Sequence, residues 1–80
     1  MKRWYVIDDR MTARAAVFEE MLKATTKEDA IRDGKKAWDL LTAREQAEAD
    51  SFGVCTMEQD EDGTPDYSTM DDWVDIKGAS

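Results

Sequence analysis

Histidine is missing from this 80-residue chain, and cysteine and proline occur once each. Without histidine there is no Ser/His/Asp or Cys/His nucleophile pair and no imidazole metal ligand, and the side chain best suited to proton transfer near neutral pH is lacking. The single cysteine, Cys55, forms neither an intrachain disulfide nor a thiolate zinc cluster, and it fits a reducing compartment. We therefore expect a protein that is not an enzyme and that uses no cofactor or metal.

Long apolar runs are missing too. The run that follows Lys2 and Arg3 extends from Trp4 to Ile7 and stops at Asp8. A secretory h-region needs about 7–15 apolar residues, and a membrane span needs about 20. We expect a cytoplasmic protein, and the length predicts a single domain over residues 1–80.

Negative charge is what the chain has in excess. It holds 19 Asp and Glu against 11 Lys and Arg, for a formal net charge of −8. Residues 51–80 contain eight acidic side chains and one basic side chain, Lys77, so this third alone carries −7. Charge asymmetry of this kind bears on partners and solubility rather than on fold. The chain thus divides into a nearly neutral scaffold and an acidic C-terminal third.

The first part of the chain predicts one strand and one ambiguous segment. Residues 3–8 are aromatic and β-branched, which is typical of a strand. Residues 15–24 fit two structures, because the apolar stripe from Met11 through Phe18 to Leu22 has helical spacing, whereas Phe18 and Leu22 also share one face of a strand. We favour a strand that pairs back on residues 3–8.

Two helices are predicted next, over about 27–41 and 43–50. Each follows a threonine, Thr26 or Thr42, that has an acidic residue three positions later, which is the signature of a capping box. Gly34 lies in the middle of the first helix, where glycine costs about 1 kcal/mol relative to alanine. We expect a close packing contact at that position.

The remaining elements follow the helices. Residues 52–58 alternate in the manner of a strand, and Asp62-Gly63 predicts a turn. Residues 73–76 fit a strand or a helix. The sum is an α+β domain, with a small antiparallel sheet of about three strands and the two helices packed on one face.

The acidic stretch 58–66 invites comparison with a calcium-binding EF-hand loop. Glu58, Asp60 and Asp62 fall at loop positions 1, 3 and 5, Gly63 at position 6 and Asp66 at position 9. Position 8 is a proline, however, and position 12 is a threonine where the bidentate glutamate is required. A solvated acidic turn is the better interpretation, and a calcium-binding loop at 58–66 is kept as a weaker alternative.

The same stretch suggests a nucleic-acid mimic. In an extended chain Glu58, Asp60 and Asp62 would form a row of charges about 6.6 Å apart on one face. Nucleic-acid strands carry a phosphate every ~3.4 Å and bind in grooves lined by Lys and Arg. An acidic strip would fit such a groove and exclude the nucleic acid, whereas direct binding of DNA or RNA is disfavoured by repulsion.

Two aromatic residues, Tyr67 and Trp73, lie among the acidic ones. Aromatic side chains of this kind anchor interfaces, but packing of the chain's end onto the sheet explains them equally well. The residues predicted to bind a partner are Glu58, Asp60, Glu61, Asp62, Asp66, Tyr67, Asp71, Asp72, Trp73 and Asp75.

Three other residues are predicted to be buried. Trp38 lies on the apolar stripe of the first helix, and Trp4 lies in the first strand. Cys55 lies in the middle of a strand without the electropositive surroundings that activate a thiol, so we expect a small buried hydrophobe.

Short sequence idioms run through the chain: Trp-Tyr-Val-Ile-Asp at 4–8, Ala-Thr-Thr-Lys-Glu-Asp-Ala-Ile at 24–31, Trp38 with Leu-Thr at 41–42, and Asp-Glu-Asp-Gly-x-x-Asp-Tyr-x-Thr-Met at 60–70. Together they resemble a group of small acidic proteins carried by phages and integrative elements of gut-type Gram-positive bacteria. Some similar mobile-element proteins are anti-CRISPRs, which bind an effector nuclease and block its nucleic-acid channel or its PAM-reading arginines. The resemblance implies such a role and assigns it to no particular residue.

The leading hypothesis is a non-enzymatic inhibitory binding protein of the anti-CRISPR type, acting in the bacterial host cell. Its acidic segment 58–75 would dock on the basic nucleic-acid-binding site of a CRISPR effector nuclease. The alternative is an accessory structural module of a mobile element, with a homodimer as one form, in which acidity serves only solubility.

Overall fold

The computed structural model describes residues 2–9 and 17–77, with the backbone alone at 17 and 18. In chain order the elements are β1 Lys2–Asp9, β2 Val17–Met21, α1 Lys27–Asp39, α2 Ala43–Glu48, β3 Ser51–Gln59 and β4 Pro65–Asp75. Two strands precede the helices and two follow them. The protein is therefore of the α+β class, as the sequence predicts.

The strands form one antiparallel sheet in the order β2-β1-β3-β4. Strands β1 and β3 lie in the centre, with Tyr5 opposite Cys55 and Val6 opposite Val54. Opposite residues share a face of the sheet, so this register puts Tyr5 and Val6 on different faces. Among the described strands, the acidic strand β4 is an edge of the sheet and pairs on one side only.

The two undecided segments are both strands. Strand β2 confirms the preference for a strand within 15–24, and it pairs back on β1 as expected, with Tyr5 opposite Met21. Met11, on which the helical alternative depended, lies outside the described residues. The expectation of about three strands is one too few, because β4 adds a fourth and makes 73–75 a strand. Its acidic residues have low strand propensity, and pairing with the buried strand β3 overrides that propensity.

Both helices begin at the predicted caps. The Thr26 side chain accepts a hydrogen bond from the Asp29 backbone N–H at 3.2 Å, while the Asp29 carboxylate pairs with Arg32 at 2.6 Å. At Thr42 the capping box is complete, since Glu45 N–H donates to Thr42 Oγ1 and Thr42 N–H donates to Glu45 Oε1. In the parts of the chain described, neither helix is long and apolar enough to cross a lipid bilayer.

Helix α1 packs on one face of the sheet, which we call the helix face. Its buried cluster consists of Trp4, Val6, Ala30, Phe52, Val54 and Ile76. Trp38 is half-buried against this cluster, with its ring 5.0 Å from that of Phe52. Both tryptophans predicted to be in the core thus contact it.

At Gly34 the backbone of α1 packs tightly against Val54 and Ile76. An ideal Cβ there would lie 2.7 Å from Val54 Cγ1 and 3.3 Å from Ile76 Cγ1. Real Cβ atoms are essentially never found at the shorter distance. The close packing contact expected from the sequence is therefore confirmed.

Replacing Gly34 with alanine is expected to lower the free energy of unfolding by about 1 kcal/mol. Helix propensity would favour alanine by about 1 kcal/mol, but overlap in a well-packed core typically costs about 1–3 kcal/mol. Urea denaturation measures the difference, with Lys35→Ala on the exposed side of α1 as the control. A Gly34→Ala protein more stable than the parent would contradict this expectation and show that α1 can move away from the sheet without lowering the free energy of unfolding.

Candidate partner-binding surface

The β3–β4 turn is held by its own backbone and by one aspartate. Asp60 N–H donates to the Thr64 carbonyl at 2.9 Å, and Gly63 N–H donates to the Asp60 carbonyl at 3.0 Å. Asp60 Oδ1 accepts two further backbone N–H bonds, from Asp62 at 2.9 Å and from Thr64 at 3.1 Å. Gly63 has a φ of +81°, which glycine adopts at little cost. The predicted turn is confirmed.

The predicted row of three carboxylates on one strand does not form. Strand β3 ends at Gln59, so Glu58 alone lies in a strand, while Asp60 and Asp62 lie in the turn. The turn forms because the chain must reverse before Pro65, which begins β4. Glu58 instead lies opposite Asp66 in the register of the two strands. The charge is therefore concentrated at the end of a hairpin rather than along one strand.

Two carboxylates of β4 are held in the ionised form by local hydrogen bonds. The pKa of Asp66 is lowered by the hydroxyl of Ser68, which donates to Oδ1 at 2.6 Å, and by the Ser68 backbone N–H at 3.0 Å. The pKa of Asp71 is lowered by the Asp72 N–H at 2.8 Å and by the ammonium of Lys2 at 3.4 Å. Both side chains keep their negative charge below the pH at which an ordinary aspartate loses it.

Strand β4 is irregular along most of its length. Its register with β3 shifts twice, once between Val54 and Thr56 and once between Thr56 and Glu58. Side-chain hydroxyls form hydrogen bonds to the backbone where the register shifts. The Thr56 hydroxyl donates to the Asp71 carbonyl, and Glu58 N–H donates to Thr69 Oγ1. Asp72 has a φ of +54°, an uncommon left-handed conformation for a residue other than glycine. Bulges of this kind twist an edge strand and redirect its side chains.

Trp73 both packs on the sheet and faces solvent. Its ring lies over Gly53, where an ideal Cβ would be 2.6 Å from Trp73 Cζ2. The side chain nevertheless remains 40% exposed, and Tyr67 remains 44% exposed. Packing on the sheet and contact with a partner are therefore compatible for Trp73, because one part of the ring packs on Gly53 and another part is exposed.

Side chains from the edge strands reach over the second face of the sheet, opposite the helix face. Its buried cluster consists of Tyr5, Ile7, Cys55 and Met57. The Tyr67 hydroxyl of β4 donates a hydrogen bond to Glu19 Oε2 of β2, and so crosses the two central strands. Gln59 Nε2 lies 3.3 Å from Met21 Sδ. The edge strands are thus joined above this cluster.

The predicted partner-binding residues divide between the turn and the two faces of the hairpin. All are exposed except Asp66, which is half-buried. By register and contact, Glu58, Asp66 and Asp71 lie toward the helix face, whereas Tyr67, Trp73 and Asp75 lie toward the second face. The hairpin therefore presents carboxylates on both sides.

Sequence reasoning missed Glu19 as a member of this surface. In a strand Glu19 and Met21 share one face, but the sequence does not show which residues that face meets. The register places Glu19 opposite Ile7, and Tyr67 then reaches it from the other edge of the sheet. A contact 48 positions apart in the sequence has no local signal.

The carboxylates of the described residues do not gather around one point. Within residues 2–9 and 17–77, no group of three or more His, Cys, Asp or Glu side chains could hold a metal ion. One oxygen of Asp60 is already used by two N–H groups of the turn. The geometry of the turn therefore gives no support to the calcium-loop alternative.

Comparison of the chain with protein-family models, with curated proteins and with solved structures gives no match. Function is therefore inferred from the residues and their geometry.

Cys55 provides a test of burial on the second face. Its side chain is buried, and burial raises the pKa of the thiol from 9.0 to about 11. Between these values the folded protein retains a proton that the unfolded chain has lost, so stability falls as pH rises from 9 to 11. We expect a loss on the order of 2 kcal/mol. Urea denaturation at several pH values measures it, and an equal loss in Cys55→Ala would assign the effect to other groups.

Proposed function

We propose that this protein is a non-enzymatic inhibitor that docks its acidic β3–β4 hairpin on the basic nucleic-acid-binding site of a partner protein, in the manner of an anti-CRISPR acting on an effector nuclease. The observation that carries the proposal is the charge of one hairpin. Residues 58–75 contain eight carboxylates and no basic side chain. One ion pair joins Asp71 of this hairpin to Lys2 of β1, between exposed side chains.

Like charges face each other within the hairpin. Glu58 and Asp66 lie directly opposite each other, and like charges in that position repel across a strand pair, while Lys2 lies opposite Glu58 on the other side of β3. The pKa values of Asp66 and Asp71 are lowered by neighbouring donors, so the charge is fixed rather than released by protonation. Features that oppose local stability are expected where a surface serves binding.

A basic groove is the partner that this surface fits. Carboxylates attract Lys and Arg side chains, and arginine binds them through two parallel hydrogen bonds. Such a groove normally holds phosphates, and a tightly docked acidic hairpin excludes them. The partner-binding residues proposed from the structure are those of the hairpin, with Tyr67 and Trp73 as aromatic contacts between the charges.

The edge of the sheet argues against the alternative of a homodimer formed through β4. Edge-to-edge pairing of two copies needs a regular ladder, whereas β4 has two register shifts and a left-handed Asp72. Two such edges would also bring their carboxylates together. Bulges and charges on an edge strand are the usual means of preventing this contact.

Displacement of nucleic acid from defined partners tests the proposal. Purified CRISPR effector nucleases, loaded with guide RNA and labelled target DNA, are titrated with the protein. We expect release of the DNA and loss of cleavage, with an affinity that weakens about tenfold or more between low and physiological salt. DNA that remains bound to every nuclease tested, at low salt and with excess protein, would refute an inhibitor of this class.

A further inference from the structure

We propose that the second face of the sheet binds the guanidinium group of an arginine on the partner, at an arginine site that combines the Glu19 carboxylate, the Tyr5 hydroxyl and the rings of Tyr67 and Trp73, all of which lie on this face. This inference rests on the proposed function and deepens it, because it names the side chain that the partner supplies. It also adds two residues outside the acidic hairpin.

The first observation is a buried polar atom without a partner. Tyr5 is 2% exposed, and its hydroxyl has no hydrogen-bond partner among the described residues. A buried hydroxyl left in this state costs free energy, so native proteins rarely keep one without a reason. Side chains on a strand stand roughly perpendicular to the sheet. The Tyr5 hydroxyl therefore lies in the outer layer of the second face, at the level of the side chains that cover it.

The second observation is a carboxylate on the same face of the sheet, Glu19. Glu19 of β2 lies opposite Ile7 of β1. It is two positions before Met21, which lies opposite Tyr5. Glu19 is half-buried, and it accepts the Tyr67 hydroxyl from the far edge of the sheet. A partly buried carboxylate binds a charged donor more strongly than a neutral hydroxyl. An arriving cation can therefore displace the Tyr67 hydroxyl from Glu19.

The aromatic rings select which cation fits. Tyr67 and Trp73 are 44% and 40% exposed, and an arginine stacks its planar guanidinium on such rings while donating several hydrogen bonds in the plane. A lysine ammonium is more strongly hydrated and lacks this planar geometry. An apolar side chain would leave the Tyr5 hydroxyl unpaired. The arginine site thus offers a guanidinium group a negative charge, aromatic rings on which to stack and an unpaired hydroxyl.

Within the described strands, Arg3 is a positive charge on the same face. It lies four positions before Ile7 along β1, and Ile7 is the residue opposite Glu19. Asp75 adds a negative charge at the level of Ile7, since both lie opposite Gly53.

Calorimetry with two peptides of equal charge tests the arginine site. The full-length protein is titrated with acetylated hexa-arginine amide and with acetylated hexa-lysine amide at low salt. We expect hexa-arginine to bind about tenfold more tightly, and Glu19→Gln to reduce this preference to within about twofold. Glu20→Gln is the matched control, because Glu20 is exposed and points to the other face of the same strand; its preference should equal that of the parent.

Tyr5→Phe separates a binding role from a structural one. Removing the unpaired hydroxyl should leave the protein at least as stable as the parent, yet lower its affinity for hexa-arginine about fivefold. Equal binding of both peptides, or a preference for hexa-arginine that survives in Glu19→Gln and Tyr5→Phe, would refute the arginine site while leaving the acidic hairpin as a docking surface. Absence of binding by both peptides would overturn it as well, and DNA displacement would still judge the proposed function separately.

Discussion

Replacing Gly53 with alanine is expected to lower the free energy of unfolding by about 3 kcal/mol. The new Cβ would lie 2.4 Å from the Val74 carbonyl oxygen and 2.6 Å from Trp73 Cζ2. Since the carbonyl belongs to the backbone of the paired strand, it cannot retreat without pulling β4 away from β3. A domain of this size has a total stability of only about 4–12 kcal/mol. The substitution should therefore destabilise the whole sheet and move Trp73 from its position over β3.

Urea denaturation followed by tryptophan fluorescence measures this effect. Gly63→Ala is the matched control, because Gly63 has a φ of +81° but no atom within 4 Å of the position of a Cβ. Its cost should be limited to the backbone conformation, about 1 kcal/mol. If Gly53→Ala were as stable as Gly63→Ala, the contact between Trp73 and the sheet would not be as close as described.

Reversing the charge of Glu61 and Asp62 to lysine is expected to weaken binding to the basic partner at least about 100-fold. Both side chains are exposed at the tip of the hairpin. In the complex each substitution would place a like charge against the Lys and Arg side chains of the groove. Asp60 and Asp66 are left unchanged because they accept backbone hydrogen bonds that shape the turn and β4.

The control for this pair alters the same amount of charge elsewhere. Glu20→Lys with Asp39→Lys changes two exposed carboxylates on β2 and at the end of α1. If net charge alone governed binding, both pairs would weaken it equally. We expect the control to retain most of the affinity, and circular dichroism to show that all variants keep the fold. A loss confined to the control pair would place the interface on the other side of the molecule.

Local sequence signals account for most of the secondary structure. The threonine caps at Thr26 and Thr42 locate both helix starts, and Gly34 marks the contact between α1 and the sheet. Alternation over residues 52–58 correctly predicts strand β3. Strand β4 was less visible, because its residues are acidic and its pairing with β3 is interrupted by two register shifts. Its strand structure depends on a neighbour rather than on its own propensities.

The candidate site could be predicted in composition but not in geometry. Charge counting identified the acidic segment, since charge is a property of the sequence alone. The sequence suggested a straight row through Glu58, Asp60 and Asp62, whereas the structure places a turn there. The contact between Tyr67 and Glu19, and the unpaired hydroxyl of Tyr5, depend on strand order and register, which no local pattern in the sequence specifies.

A structure of the complex with the basic partner would show which surface of the protein docks. We expect carboxylates of the β3–β4 hairpin to lie within about 4 Å of Lys and Arg nitrogens in the groove that otherwise holds nucleic acid. A complex in which these carboxylates face bulk solvent, and the partner contacts the helices instead, would contradict it.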